Sequence, residues 1–335
     1  MKISIVRGAK VLTQSVMDAD SKLGLARQLP AIKAAWLRLL RQQGLGQMDC
    51  DGVSVSFPSL VDTRTGRVLA EYGKFADAPG LDLRAWALNE LGLPLAIEND
   101  ARMALIGEWK AGAGRGLKNL VMITLGTGLG TAAIMGGEVL RGKHGQAGVM
   151  GGHMTVRYGG RPCVCGNVGC AESEASTAYL HDLLAGLNDE DGQKSMLYGG
   201  ALNYEMVFKH AAAGDRCAIS LRDHSLLVWS TLAVNLIHAY DPEMLIIGGG
   251  IMGSAGFILP RMASHIARHA HTPWGKVRVA ASELGDQAAL VAGEWLLQDQ
   301  LGVTAAKLQD APGGARSVLA AAGLRANAMA FPKAM

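Results

Sequence analysis

The chain has 335 residues, of which 49% are hydrophobic and 18% charged, and its formal net charge is +3. This apolar content excludes a wholly disordered chain, and thinly spread Lys and Arg without a helix-turn-helix or finger pattern argue against a nucleic-acid partner. Arg7 and Lys10 interrupt the first segment, which is therefore no signal peptide. The longest apolar run, at residues 225–240, is too short and too polar to span a membrane. With five cysteines, these features predict a reducing, cytoplasmic location.

Strands and helices are predicted to alternate along the chain, which is typical of an α/β fold. The first helix, within residues 29–45, places Ile32, Ala35, Trp36, Leu39 and Leu40 on one face. Residues 51–57 alternate and predict a strand with one buried side. The remaining predictions, in chain order, are strands at 2–6, 94–100, 119–125, 131–135, 138–142 and 243–251, and helices at 101–109, 225–240 and 285–297.

One short segment holds three of the five cysteines. Cys163, Cys165 and Cys170, together with His153 upstream, supply three thiols and an imidazole, a common ligand set for tetrahedral zinc. Ordinary buried cysteines or a disulfide are the alternatives, but neighbours in a Cys-x-Cys pair are badly placed to bridge each other. Four protein ligands would leave no open position, so such a zinc would be structural.

The other two cysteines, Cys50 and Cys217, have no partners by sequence, and we interpret them as buried small residues.

Two glycine-rich turns follow apolar strands. The first, at Gly126, Thr127 and Gly128, could direct backbone N–H groups at phosphate oxygens, although a plain hairpin turn is the preferred interpretation of this segment taken alone. It has neither the Gly-Lys-Ser/Thr ending of a Walker A loop nor a Rossmann fingerprint. The second, Gly248, Gly249 and Gly250, is either a tight turn or a place where a flat ring meets the backbone.

Polar residues at the end of a strand form a candidate reaction site. Asp100, where the strand gives way to a helix, could be a helix N-cap, or it could take a proton from a substrate hydroxyl. Asn99 beside it offers both a donor and an acceptor to such a substrate. Glu172 lies two residues after Cys170, so a metal that fixes Cys170 would also fix Glu172.

Taken in order, these segments resemble the ROK (repressor, open reading frame, kinase) family of bacterial sugar kinases. The matching segments cover about Asp51 to Leu301 and are IENDARMALIGEW, ITLGTGLGTAAI, GGH with CVCGNVGCAESEAS, DPEMLIIGGGI, GDQAALVAGEWLL and, more weakly, VSFPSLVD. The resemblance implies a two-domain actin-like ATPase (ribonuclease H-like) fold with a cleft between the domains. Residues 1–117 with about 285–301 would form the first domain, 118–284 a larger domain with the zinc site, and 302–335 an appendage.

The resemblance also implies roles for the candidate residues. Asp100 would be the base that deprotonates a sugar hydroxyl, usually the one on C6. Sugar ligands would be Asn99, His153 and Glu172, and ATP would meet Gly126, Thr127, Gly128, Gly248, Gly249 and Gly250. The expected cofactors are structural Zn²⁺, held by His153, Cys163, Cys165 and Cys170, and Mg²⁺ with ATP. The partners would be ATP and a monosaccharide, without nucleic acid or membrane, in a homodimer or homotetramer.

Two departures from the family pattern qualify this expectation. The segment Lys2–Val6 aligns with the family's second strand, so the usual first strand and its Asp-x-Gly-Gly-Thr phosphate loop have no counterpart in the given sequence. Either the true start lies upstream and this chain is truncated, or the protein is not a competent kinase. No acid precedes His153 where the family often has Glu-x-Gly-His. The expectation that the resemblance favours is nevertheless a glucokinase-like phosphorylation of a hexose or amino sugar. The alternative is a catalytically impaired or inactive sugar-binding protein, and a sugar-responsive repressor, which would need a DNA-binding domain, ranks last.

Overall fold

A computed structural model describes residues 1–70, 73–187, 195–200, 202–302 and 318–323 of the chain. The strands are β1 (Lys2–Arg7), β2 (Lys10–Val16), β3 (Cys50–Phe57), β4 (Val61–Asp62), β5 (Arg67–Val68), β6 (Leu95–Asn99), β7 (Leu120–Leu125), β8 (Leu129–Met135), β9 (Glu138–Val139), β10 (Met244–Gly248), β11 (Arg278–Ala281) and β12 (Val318–Gly323). The helices are α1 (Leu29–Gln42), α2 (Leu83–Leu91), α3 (Asp100–Ala111), α4 (Ala171–Ala175), α5 (Leu180–Ala185), α6 (Tyr204–Ala212), α7 (Arg216–Tyr240), α8 (Ala255–His269), α9 (Ala288–Val291) and α10 (Gly293–Leu301).

The chain divides into two compact units. The described residues of unit 1 lie within Met1–Gly116, Arg141–Ala147, 286–302 and 318–323, and those of unit 2 lie within Leu117–Leu140 and Gly148–Gly285. The α/β class predicted from the alternation of strands and helices is confirmed in each unit.

Unit 1 is built on a sheet with the strand order β2-β1-β12-β3-β6. Strand β1 runs antiparallel to both β2 and β12, whereas β12, β3 and β6 are parallel to one another. Edge strand β2 alternates between exposed and half-buried residues, while β1 and β3 are buried almost throughout. Continuous burial is typical of strands covered on both faces. The prediction that β3 has only one buried side was therefore wrong.

Helices cover the sheet of unit 1. The predicted face of α1 is confirmed, because Ile32, Ala35, Trp36, Leu39 and Leu40 are all buried. Helices α3 and α9 approach closely at Gly107, where a Cβ atom would lie 2.0 Å from the carbonyl oxygen of Ala288. The helix predicted at 285–297 is instead divided into α9 and α10, with Gly293 as the first residue of α10.

Unit 2 contains a second sheet, with the order β11-β10-β7-β8-β9. Strands β11, β10 and β7 are parallel to one another. Strands β7, β8 and β9 continue the sheet as an antiparallel meander. The apolar helix predicted at 225–240 extends further toward the N-terminus, because Asp215 caps α7 by accepting a hydrogen bond from the backbone N–H of Ala218 at 2.9 Å. Trp229, fully buried in α7, packs against Tyr204 of α6.

Most of the segment 302–335, which we predicted to be an appendage without a known role, lies outside the described residues. Its residues 318–323 form β12, which lies in the middle of the first sheet and not on an appendage. Among the residues that the structure describes, no helix is long and apolar enough to cross a membrane.

Candidate active site and metal centre

Asn99 and Asp100 lie where β6 ends and α3 begins. The N-cap is Asn99, whose side-chain oxygen accepts from the backbone N–H groups of Ala101 at 3.0 Å and Arg102 at 3.2 Å. The alternative that Asp100 is the cap is therefore wrong. Asp100 occupies the first helical position, half-buried, with Oδ1 accepting from the Asn99 side-chain amide at 3.2 Å. The positive end of the helix dipole lies at this position.

The side chain of Asn99 makes more hydrogen bonds within the protein than the sequence suggests. Its amide also donates to the carbonyl oxygen of Ser59 at 3.1 Å, and only 7% of the residue is exposed. Its position is thus fixed by contacts on both sides of the strand end, which holds the adjoining Asp100 in a defined place.

A buried ion-pair network supports this turn, and sequence reasoning missed it. The carboxylate of Glu98 is fully buried and accepts from Arg102 at 3.2 Å, from Arg141 at 2.8 Å and from the backbone N–H of Asn99 at 2.9 Å. Burial lowers the pKa of the Arg102 guanidinium, and the Glu98 charge opposes that shift. The i, i+4 spacing of Glu98 and Arg102 was a usable signal, but Arg141 is too distant in sequence to be inferred.

The same arginines hold the segment Arg141–Ala147. Arg102 donates to the carbonyl oxygens of Gly145 at 2.9 Å and Ala147 at 2.7 Å, and Arg141 also pairs with Asp299 at 3.1 Å. This short segment belongs to unit 1, although unit 2 supplies the chain on either side of it. The network therefore connects the Asp100 turn to a segment of unit 1 that is distant in sequence.

In unit 2, His153, Cys163, Cys165 and Cys170 form a compact group, here called the His-Cys cluster. Their ligand atoms all lie within 4.8 Å of one another. Cys163 Sγ is 3.5 Å from His153 Nδ1, and Cys165 Sγ is 3.7 Å from Cys170 Sγ. A tetrahedral zinc with the usual bond lengths separates two sulfurs by about 3.8 Å and a sulfur from a nitrogen by about 3.5 Å. The cluster therefore fits zinc, and the cysteines form no disulfide.

Burial shapes the chemistry of the cysteines. It raises the pKa of the Cys163 and Cys170 thiols, so a metal that binds their thiolates must displace protons. Cys50 and Cys217 are buried and unbridged, as predicted, and burial raises the pKa of the Cys50 thiol to about 12.

Helix α4 connects the His-Cys cluster to Glu172. Cys170, fully buried, is the N-cap residue of α4, and Glu172 lies in its first turn. The Glu172 carboxylate accepts from the backbone N–H of Leu129 at 2.9 Å, and a Cβ atom on Gly128 would lie 2.4 Å from it. Glu172 thus contacts the first glycine turn, a contact that its position in the sequence does not reveal.

The two glycine turns lie together in unit 2. Strands β7 and β10 pair in parallel with Thr124 opposite Gly248, so both turns emerge at the same edge of the sheet. Gly249 has a φ of +97°, and a Cβ atom there would lie 2.2 Å from the carbonyl oxygen of Leu125. The first turn closes the hairpin of β7 and β8, as predicted by the interpretation of this segment as a hairpin turn. Gly250, which is exposed, follows the contact between Gly249 and Leu125 in the chain.

The structure has the α/β fold of the actin-like ATPases, which the resemblance implied. ROK hexokinase from Thermus thermophilus has this fold, with a TM-score of 0.69 and 24% identity over 88% of this chain and 98% of that protein. The ROK family model matches residues 12–300, and the chain belongs to the ROK family.

Relatives with assigned activities cover most of the chain. Glucokinase from Halalkalibacterium halodurans is 32% identical over 260 residues, which are 75% of this chain and 77% of that protein. Glucokinase from Thermotoga maritima is 28% identical over 262 residues, 75% of this chain and 80% of that protein. A ROK family glucokinase from Streptomyces griseus, solved with glucose and AMPPNP, has a TM-score of 0.69 and 25% identity over 88% of this chain and 98% of that one.

Proposed function

We propose that the protein is an ATP-dependent kinase that phosphorylates a hexose or amino sugar, at the C6 hydroxyl. The observation that carries the proposal is Asp100, a carboxylate fixed at the first position of α3 beside the N-cap Asn99. The relatives named glucokinase support the same reaction.

Asp100 is the proposed base. As the sugar hydroxyl loses its proton to the carboxylate, the hydroxyl oxygen bonds to the γ-phosphorus of ATP, and the bond from that phosphorus to the β,γ-bridging oxygen breaks to release ADP. Phosphoryl transfer depends mainly on positioning and charge stabilisation. The Asn99 cap and the buried Glu98 network supply the positioning of Asp100.

We assign the sugar to Asn99, His153 and Glu172, and ATP to the two glycine turns, Gly126, Thr127, Gly128 and Gly248, Gly249, Gly250. Because Glu172 contacts the first turn, its carboxylate would bind the sugar and lie beside the ATP site at the same time. Zinc at His153, Cys163, Cys165 and Cys170 would be structural, because its four ligands come from the protein.

Mg²⁺ would arrive with ATP. We assign no residue of this chain to Mg²⁺.

One observation favours a second candidate, a sugar-binding protein with impaired catalysis. The sheet position between β1 and β3 is held by β12, whose sequence VLAAAG contains no acid. Such a protein would bind sugar through the same residues and transfer phosphate poorly.

A sugar panel separates the two candidates. ADP release is measured by a coupled assay with glucose, mannose, N-acetylglucosamine and N-acetylmannosamine, and binding of each sugar by calorimetry. We expect one of these sugars to bind and to stimulate ADP release stoichiometric with sugar phosphate. Binding without turnover would favour the second candidate, and neither binding nor turnover with any hexose would contradict both.

A further inference from the structure

The backbone of residues 170–179, a stretch here called the 170–179 segment, is hydrogen-bonded to the first glycine turn. The backbone N–H of Thr177 donates to the carbonyl oxygen of Gly126 at 3.1 Å. The next N–H, that of Ala178, donates to the carbonyl oxygen of Thr127 at 3.0 Å. The glycine turn is therefore fixed, at two successive residues, to the segment that contains α4.

The same segment holds the chain on both sides of Cys163. Glu174 Oε1 accepts from the backbone N–H of Arg161 at 2.6 Å, two residues before Cys163. The Tyr179 hydroxyl accepts from the backbone N–H of Val164 at 2.9 Å, directly after Cys163. Both hydrogen bonds involve protein groups only, so they can hold the thiol in place before a metal binds.

Glu174 is placed for this contact at a cost in stability. Its side chain is fully buried, and a Cβ atom on Gly160 would lie 2.4 Å from Oε1. Oε2 lies 3.5 Å from a nitrogen of Arg157 and from one of His224, but it has no hydrogen-bond partner in the described part of the chain. A buried carboxylate that is incompletely hydrogen-bonded is unfavourable. Stability alone therefore does not explain an acid at this position.

Tyr179 reaches the sulfur as well as the backbone. Its hydroxyl forms a hydrogen bond with the Cys163 side chain, and burial raises the pKa of the hydroxyl. The protonated hydroxyl can accept from the backbone of Val164 and donate to the sulfur. Hydrogen bonds to metal ligands orient them and tune the metal. Because Ala178 precedes Tyr179, the contacts with the cluster and with the glycine turn are one residue apart.

We propose that Glu174 and Tyr179 are positioning residues that hold Cys163 in place for zinc. Through the 170–179 segment, the His-Cys cluster is thereby coupled to the first glycine turn. Neither side chain is a candidate metal ligand, so both act through Cys163. Zinc would order the turn, and a phosphate group bound at the turn would strengthen zinc binding, because coupling between two sites is reciprocal. The coupling rests on the proposed ATP site, whereas the positioning of Cys163 does not.

Zinc affinity, measured by competition with a chelator, tests the positioning role. Tyr179→Phe removes the hydroxyl, and we expect zinc affinity to fall by about 10-fold or more. In the cobalt-substituted protein, the sulfur-to-cobalt charge-transfer band should also shift, because the sulfur loses a hydrogen bond. Tyr158→Phe changes a fully exposed tyrosine between His153 and Cys163, and this matched control should behave like the unsubstituted protein in both measurements.

A second pair of variants tests Glu174. Glu174→Gln keeps an oxygen that can accept from Arg161, whereas Glu174→Ala does not, so Glu174→Gln should retain more zinc affinity. Equal zinc affinities in these two variants would overturn the positioning role of Glu174. Unchanged zinc affinity and an unshifted cobalt band in Tyr179→Phe, or the same changes in Tyr158→Phe, would overturn that of Tyr179.

Zinc affinity measured with and without Mg²⁺ and AMPPNP tests the coupling. We expect AMPPNP to raise zinc affinity by about fivefold or more in the unsubstituted protein and by less in Tyr179→Phe. AMPPNP that binds by calorimetry without changing zinc affinity would overturn the coupling alone. A protein that does not bind AMPPNP would contradict the proposed function together with the coupling, and the zinc affinities of the variants would still decide the positioning roles.

Discussion

Gly169 shows how one residue shapes the His-Cys cluster. Its φ is +70°, and a Cβ atom there would lie 1.8 Å from the carbonyl oxygen of Arg157. The backbone N–H of Val156 donates to the Gly169 carbonyl at 2.8 Å, so the two segments of the cluster meet at this point. Gly166 has a similar φ of +87° with open space around it. Substitutions at these two glycines can therefore distinguish the cost of a left-handed backbone from the cost of a steric clash.

Gly169→Ala is expected to lower zinc content and thermal stability more than Gly166→Ala. Gly166→Ala costs only the left-handed conformation, about 1–2 kcal/mol, whereas Gly169→Ala must also displace the Arg157 carbonyl. Metal analysis and thermal unfolding of the purified variants measure the difference. Equal losses in the two variants would show that close approach at Gly169 is unimportant.

Zinc binding should weaken as the pH falls. Because burial raises the pKa of the Cys163 and Cys170 thiols, metal-free protein keeps these protons at neutral pH, and binding must release them. Acid therefore favours the metal-free form. We expect about one zinc per chain at pH 7.5 and progressive loss below about pH 6, measured by metal analysis after gel filtration.

A matched pair of variants provides the control for zinc binding. Cys165→Ser should abolish zinc binding, whereas Cys217→Ala, which removes a buried thiol outside the cluster, should retain it. Zinc retained by Cys165→Ser, or lost equally by both variants, would contradict the assignment of the ligands.

At the scale of secondary-structure elements, buried ion pairs hold the junction of β6 and α3 together. Glu98 is the last residue but one of β6, and its carboxylate joins Arg102 of α3 to Arg141 in the segment Arg141–Ala147. A buried charge that loses its partner is expensive, even where the complete network adds little net stability. The junction is consequently sensitive to the loss of a single charge.

Glu98→Gln is expected to lower the free energy of unfolding by about 3 kcal/mol, because it leaves the buried Arg102 guanidinium without its ionised partner. Glu90→Gln, which breaks the exposed Lys33 pair, should cost less than about 1 kcal/mol. Denaturant unfolding monitored by fluorescence measures both. Equal effects would show that the charge of Glu98 is not required at this junction.

At the scale of the whole molecule, local sequence signals predicted most of the elements and the His-Cys cluster. The face of α1 follows from helical spacing, and the cluster follows from ligand types and short Cys spacing. Both depend on residues that are close in sequence. The strand at β1 and the strands of unit 2 likewise have strong apolar patterns.

The features that sequence did not predict depend on distant partners. Strand β12 is rich in alanine, which has no preference for strands, so its place between β1 and β3 defines it. The Arg141–Glu98 pair and the contact of Glu172 with Leu129 each join residues 43 apart in the chain. Neither contact follows from periodicity.

The proposed role of Asp100 as the base of a sugar kinase is tested most directly by Asp100→Asn. This substitution keeps the size of the side chain and removes its basicity, so kcat should fall by about 10²- to 10⁴-fold while sugar affinity changes little. Asp223→Asn, an exposed acid on α7, is the matched control and should keep normal activity. The measurement is ATP-dependent sugar phosphate formation with the best sugar of the panel. Undiminished turnover by Asp100→Asn would contradict the account.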